Sequence, residues 1–61
     1  MFIKINDVIV NKNTIKTIYI NSKNNIIFRF NSDIMFDEIV EEHSSKEEAE
    51  KAFNEWVNKL C

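Results

Sequence analysis

Not one glycine or proline occurs in the 61 residues of this chain, and that limits how it can turn. Glycine reaches a left-handed backbone without steric cost; asparagine and aspartate come next, because their short polar side chains tolerate that region. Tight turns therefore fall to Asn and Asp, and these cluster at Asn6-Asp7, Asn11-Lys12-Asn13, Asn21-Ser22-Lys23-Asn24-Asn25 and Asn31-Ser32-Asp33. Short, β-branched, partly alternating runs lie between the clusters and predict strands over Phe2 to Ile5, Val8 to Val10, Ile15 to Ile20, Ile26 to Phe30 and Ile34 to Val40. Links this short join antiparallel neighbours, since a parallel crossover takes about a dozen residues or more. The first two runs read equally as one bent strand or as a tight hairpin.

The segment after the strands changes period. Ala49, Ala52, Phe53, Trp56, Val57 and Leu60 make one apolar stripe at helical spacing. Ser45 with Glu48 has the spacing of a capping box, and Ser44 with Glu47 offers a second register. Acids in the first turn and Lys59 in the last suit the helix dipole. Glu47 with Lys51, and Glu55 with Lys59, are spaced as i,i+4 ion pairs. The expected fold is α+β: one domain over residues 1–61, with an antiparallel sheet of four to five short strands and one C-terminal amphipathic helix packed on one face. Its expected core is Ile3, Ile5, Ile18, Ile20, Phe28, Phe30, Phe36, Phe53, Trp56, Val57 and Leu60.

A chain this short supplies little core, and small domains usually lean on disulfides, a metal or a partner subunit. Cys61 is the single cysteine, so no intramolecular disulfide can form. One Cys and one His do not furnish a four-ligand zinc site, and no cofactor is expected. An unpaired thiol suits a reducing compartment. No apolar run reaches the ~18 residues of a membrane span, and no basic-then-apolar leader opens the chain; a cytoplasmic location is expected. Alternation also leaves apolar residues on both faces of the sheet: Ile26, Phe28 and Phe30 against Ile27, Ile18 and Ile20 against Ile15 and Tyr19, Ile3 and Ile5 against Phe2. One helix does not cover both, and a homodimer is the expected solution.

The net charge of −2 conceals a split. Residues 1–30 hold Lys4, Lys12, Lys16, Lys23 and Arg29 against Asp7, a balance of +4. Residues 31–61 hold Asp33, Asp37, Glu38, Glu41, Glu42, Glu47, Glu48, Glu50 and Glu55 against Lys46, Lys51 and Lys59, a balance of −6. Two surfaces follow. A basic one, with Lys4, Lys16 and Arg29 meeting phosphates and Tyr19 stacking on bases, suits single-stranded nucleic acid. An acidic one, with Asp37, Glu38, Glu41 and Glu42, suits a basic groove on a protein partner. With Phe28 and Phe30 turned inward, Arg29 faces outward with Ile27. Catalysis finds little support: His43 sits alone in the polar link before the helix, and neither a nucleophile elbow nor a phosphate-binding glycine loop is present. Asp33, Asp37 and Glu38 have the chemistry to hold a magnesium ion, but acids at turn edges are ordinarily solvated, and no metal site is expected.

Short strands followed by a single C-terminal helix within about 60 residues resemble the DNA-binding domain of the transcriptional positive cofactor (p15) family. That resemblance covers the whole chain as an order of elements and implies a homodimer that binds single-stranded DNA across its sheet. The same architecture resembles small phage-encoded anti-CRISPR inhibitors. This second resemblance implies a non-enzymatic protein of phage or mobile-element origin that blocks a host defence complex by stoichiometric binding.

Overall fold

A computed structural model describes residues 1–31 and 38–61. Among them the chain is α+β, in the order β1 (Phe2–Ile5), β2 (Val8–Asn11), a 3-10 turn (Lys12–Thr14), β3 (Ile15–Ile20), β4 (Ile26–Phe30), β5 (Glu38–Glu41) and α1 (Lys46–Leu60). The first two runs form a hairpin, which decides between the alternatives above. The strands do not join in one sheet of four or five. They divide into the β1–β2 hairpin and a three-stranded antiparallel sheet ordered β3–β4–β5. The division falls at Lys12–Thr14, where Asn11 Oδ1 accepts the Asn13 N–H at 3.0 Å and Thr14 Oγ1 donates to the Asn11 carbonyl at 2.7 Å. These local bonds offer the backbone an alternative to the ladder and interrupt it between β2 and β3.

Asparagine makes the turns. Asn6 and Asn24 are the non-glycine residues at positive φ among the described residues, at 54° and 65°. In the loop before β4, Asn21 Oδ1 accepts the N–H groups of both Lys23 and Asn25 at 3.0 Å. Asn6 also reaches beyond its own turn: its Nδ2 donates to the Val40 carbonyl at 2.9 Å and pins the hairpin to β5.

The hairpin and the helix together cover one face of the three-stranded sheet. Ile5 and Val10 from the hairpin, Ile26, Phe28 and Phe30 from β4, Ile39 from β5 and Trp56 from α1 form one buried cluster. Ile3, Val8, Ile15, Ile18, Ile20, Ala52 and Phe53 pack against it. Val57 and Leu60 are only half-buried. Phe36, and the predicted strand from Ile34 as far as Asp37, lie outside the described residues.

Ile15 departs from the expected alternation. Strict parity would place it opposite Ile18, yet both pack on the core. The register explains this: Ile15 pairs with Phe30 and Thr17 with Arg29, so Lys16 is an extra, bulged residue. A bulge resets the side-chain alternation by one and brings Ile15 inward.

Helix α1 starts at Ser45, whose Oγ accepts the Glu48 N–H at 3.1 Å. The Glu48 carboxylate does not close the box on Ser45; it accepts the hydroxyl of Ser44 instead. Neither Glu47 with Lys51 nor Glu55 with Lys59 comes within ion-pair distance. Lys59 instead lies over the Trp56 ring, 4.8 Å from its centroid.

Two predictions follow from this packing. Phe28 is fully buried, and truncating such a residue costs about 3–5 kcal/mol. A domain this small has a total stability of roughly 3–9 kcal/mol at 0.05–0.15 kcal/mol per residue. Phe28→Ala is therefore expected to lose a large part of its stability, read as a much lower denaturation midpoint by far-UV circular dichroism. Phe2→Ala, on the exposed side of the hairpin, is expected to stay within about 0.5 kcal/mol of the parent. The second prediction concerns acid. The Ser44 hydroxyl, aided by the Ser44 backbone and His43, holds the Glu48 carboxyl below its ordinary value of 4.5. A carboxyl that binds its proton less readily when folded stabilises the fold above its unfolded pKa, and that contribution is lost as pH falls through the folded value. On acidification below pH 4.5, the melting temperature of the parent should fall more steeply than that of Glu48→Gln. Parallel pH profiles would contradict this.

Candidate binding surface

Two places gather polar side chains: the link between β5 and α1, and the sheet face turned away from the helix and the hairpin. In the first, alternation along β5 sends Ile39 and Glu41 toward the core and Glu38 and Val40 outward. Glu41 thus faces the Trp56 side chain of α1. Its carboxylate accepts the indole Nε1–H at 3.1 Å and 3.3 Å through its two oxygens. The same Oε1 pairs with His43 Nε2 at 2.8 Å. Glu41 and His43 are both about one-fifth exposed. His43 is therefore neither freely solvated nor a helix cap. A buried indole N–H needs an acceptor, and Glu41 supplies it while His43 satisfies a second lone pair. The group closes the seam between sheet and helix.

The outer sheet face is built by cross-strand rows. Tyr19 pairs with Ile27 and Ile27 with Val40; one step along, Thr17 pairs with Arg29 and Arg29 with Glu38. The apolar row has a buried centre, Ile27 at 4% exposure, between flanks at 40% for Tyr19 and 38% for Val40. The polar row beside it is exposed throughout. Arg29 stands diagonal to Tyr19 and directly opposite Glu38, an arrangement in which opposite charges on neighbouring strands attract.

The residues expected to bind nucleic acid do not share one surface. Tyr19 and Arg29 lie together on the outer face, and Lys16 sits at the bulge on the sheet's edge. Lys4 pairs with Ile9 on the outward side of the hairpin, beyond the core layer. The acidic set divides as well. Glu38 is on the outer face, Glu41 is turned inward onto Trp56 and His43, Glu42 is exposed in the link, and Asp37 lies outside the described residues. Among the described residues no group of three His, Cys, Asp or Glu side chains is placed to hold a metal ion; Asp33, like Asp37, lies outside them.

Sequence reasoning missed the role of Glu41, although a signal was present. Glu41 shares parity with the apolar Ile39, and the one tryptophan of the helix stripe needed an acceptor. The Tyr19–Ile27–Val40 row depended on strand register, which no single run reveals. No protein-family model matches the sequence, and neither a curated protein nor a solved structure matches it.

Removing the carboxylate tests the seam. Glu41→Ala leaves the Trp56 N–H without its partner and should cost about 1–3 kcal/mol, with a red shift of tryptophan emission. Glu41→Gln keeps an acceptor and should lose less. Equal stability of both variants with the parent in urea denaturation would exclude a structural role for Glu41.

Proposed function

We propose that the chain is a small, non-enzymatic, cytoplasmic binding protein that occupies a protein partner stoichiometrically through the outer face of its three-stranded sheet. The observation that carries this reading is the Tyr19–Ile27–Val40 row set against the Thr17–Arg29–Glu38 row. An apolar strip with an aromatic residue, edged by an arginine and other polar groups, has the composition of a protein interface. The mixed signs of Arg29 and Glu38 favour a partner with charges of both signs over the uniformly anionic backbone of a nucleic acid.

The class of partner rests on resemblance. Size, a charge split along the chain and strands followed by one helix are shared with phage inhibitors of the anti-CRISPR type, which points to a host defence complex. Single-stranded DNA binding is the second reading. Its support is local: Tyr19, diagonal to Arg29, offers one stacking platform beside one phosphate contact. No helix among the described residues is long and apolar enough to cross a membrane.

The two readings part in two measurements. In a bacterium whose CRISPR immunity targets a challenging phage, expression of the protein should restore plaque formation. The Tyr19→Ala/Arg29→Glu double variant, with unchanged melting temperature, should not. Equal rescue by the double variant would remove the outer face from the function. Fluorescence anisotropy of a labelled single-stranded oligonucleotide at ~50 and ~200 mM salt should show no more than weak non-specific binding. Micromolar binding that collapses with salt and disappears in Arg29→Glu would transfer the assignment to DNA.

A further inference from the structure

The three-stranded sheet has two edges, and they differ. On the β5 side, the hairpin turn reaches the edge through the Asn6 side chain, which takes up the Val40 carbonyl. On the β3 side no strand is paired among the described residues. The direction of the unpaired backbone groups follows from the ladder. Asn21 N–H bonds the Asn25 carbonyl at 2.9 Å, so Asn21 faces β4 with its backbone. Bonded and non-bonded positions alternate in an antiparallel pair, which makes Tyr19 and Thr17 bonded to β4 and aims the N–H and C=O of Ile18 and Ile20 at the free edge. No hydrogen bond among the described residues takes up those four groups. The side chains of Ile18 and Ile20 are also only half-buried at this edge.

We infer that two copies of the chain join here, pairing β3 antiparallel about a two-fold axis at Tyr19. In that register Ile18 of one copy faces Ile20 of the other, twice, and all of the outward groups are satisfied. The Lys16 bulges remain outside the paired stretch. The result is one sheet of six strands.

Two further observations make a second copy the occupant. First, α1 runs antiparallel to β3. Leu60 shares a groove of about 380 Å³ with Ile15 to Ile18 and Lys12. Lys46 and Glu50 share one of about 390 Å³ with Ile20 to Ser22. One end of the edge therefore carries Lys12 and Lys16. The other carries Glu50 beside Lys46. A two-fold operation sets the Lys12 and Lys16 end of each copy beside the Glu50 end of the other, and sets the two helix dipoles antiparallel. Second, there is room. Helix α1 packs on β3, and its Trp56 reaches β4, with ring centroids of Trp56 and Phe28 5.0 Å apart. A helix axis midway between those strands would, at ~4.8 Å strand spacing, stand about 9.6 Å from its symmetry mate, within the usual 8–10 Å of packed helices. This inference does not depend on the proposed function. If both hold, the outer face continues across the axis, with Tyr19 of each copy side by side.

Sedimentation equilibrium at micromolar concentration should return twice the 7.3 kDa chain mass. A monomer there would overturn the inference. Position is tested by cysteine scanning in a Cys61→Ser background. Non-bonded antiparallel pairs place Cβ atoms close enough for a disulfide, so Tyr19→Cys should cross-link across the axis. Thr17→Cys, which faces Asn21 of the other copy, should not. At ~10 µM protein the first should oxidise about a hundredfold faster, because thiols held side by side meet at an effective concentration of millimolar order. Equal rates would place the contact elsewhere, the exposed Phe2 and Ile9 side of the hairpin included. Chemical synthesis supplies a variant that leaves every side chain in place. N-methylation of Ile18 removes an outward N–H and should dissociate the dimer with the far-UV spectrum retained. A folded N-methyl dimer would overturn the pairing.

Discussion

The fold depends on how Trp56 is held. Its ring meets Phe28 edge-on, at 5.0 Å and 79°, so the helix is keyed to the central strand by an aromatic contact of the favoured geometry. The same ring receives Lys59 on its face and gives its N–H to Glu41. Three elements of the chain thus converge on one side chain. With no disulfide, and in so short a chain, little else is available to fix the helix azimuth. The i,i+4 ion pairs that the sequence offers are not formed. Lys59 turns to the indole instead, where the cation keeps its solvent contact and gains the ring quadrupole.

The hairpin supplies what one helix lacks. A rod about 10 Å wide does not cover a sheet three strands across, and the β1–β2 ribbon lies beside it on the same face. The cost of that solution is visible on the ribbon's far side, where Phe2 and Ile9 are each 69% exposed. The side chain of Asn6 secures this second layer, so the turn that reverses the ribbon also docks it.

Much of this was legible in the residues. The helix announced itself by its stripe and its serine cap, the turns by their asparagines, and the inward set Ile26, Phe28 and Phe30 by alternation. Three things were not. Whether five strands make one sheet or two was decided by side-chain to backbone bonds at Asn11 and Thr14, which compete with the ladder and carry no periodic signal. The side on which Ile15 falls was decided by a bulge, which breaks the parity on which the reading relied. The outer face was hidden because it is assembled from three strands whose register is a tertiary property. Sorting residues by charge along the chain grouped Lys4 with Arg29, and Glu38 with Glu41, although the fold sends the members of each pair to different sides.

The bulge at Lys16 has a consequence for how this sequence can change. Remove that one residue and Ile15, Thr17 and Ile18 fall into strict alternation, with both isoleucines still facing inward. Elsewhere in β3 the loss of one codon would turn part of the strand inside out. Lys16 is thus a spare position in an otherwise parity-locked strand, one that the core does not require. What it contributes is a charge and a twist at the sheet's free edge, so a substitution there alters what the edge presents and leaves the interior as it is.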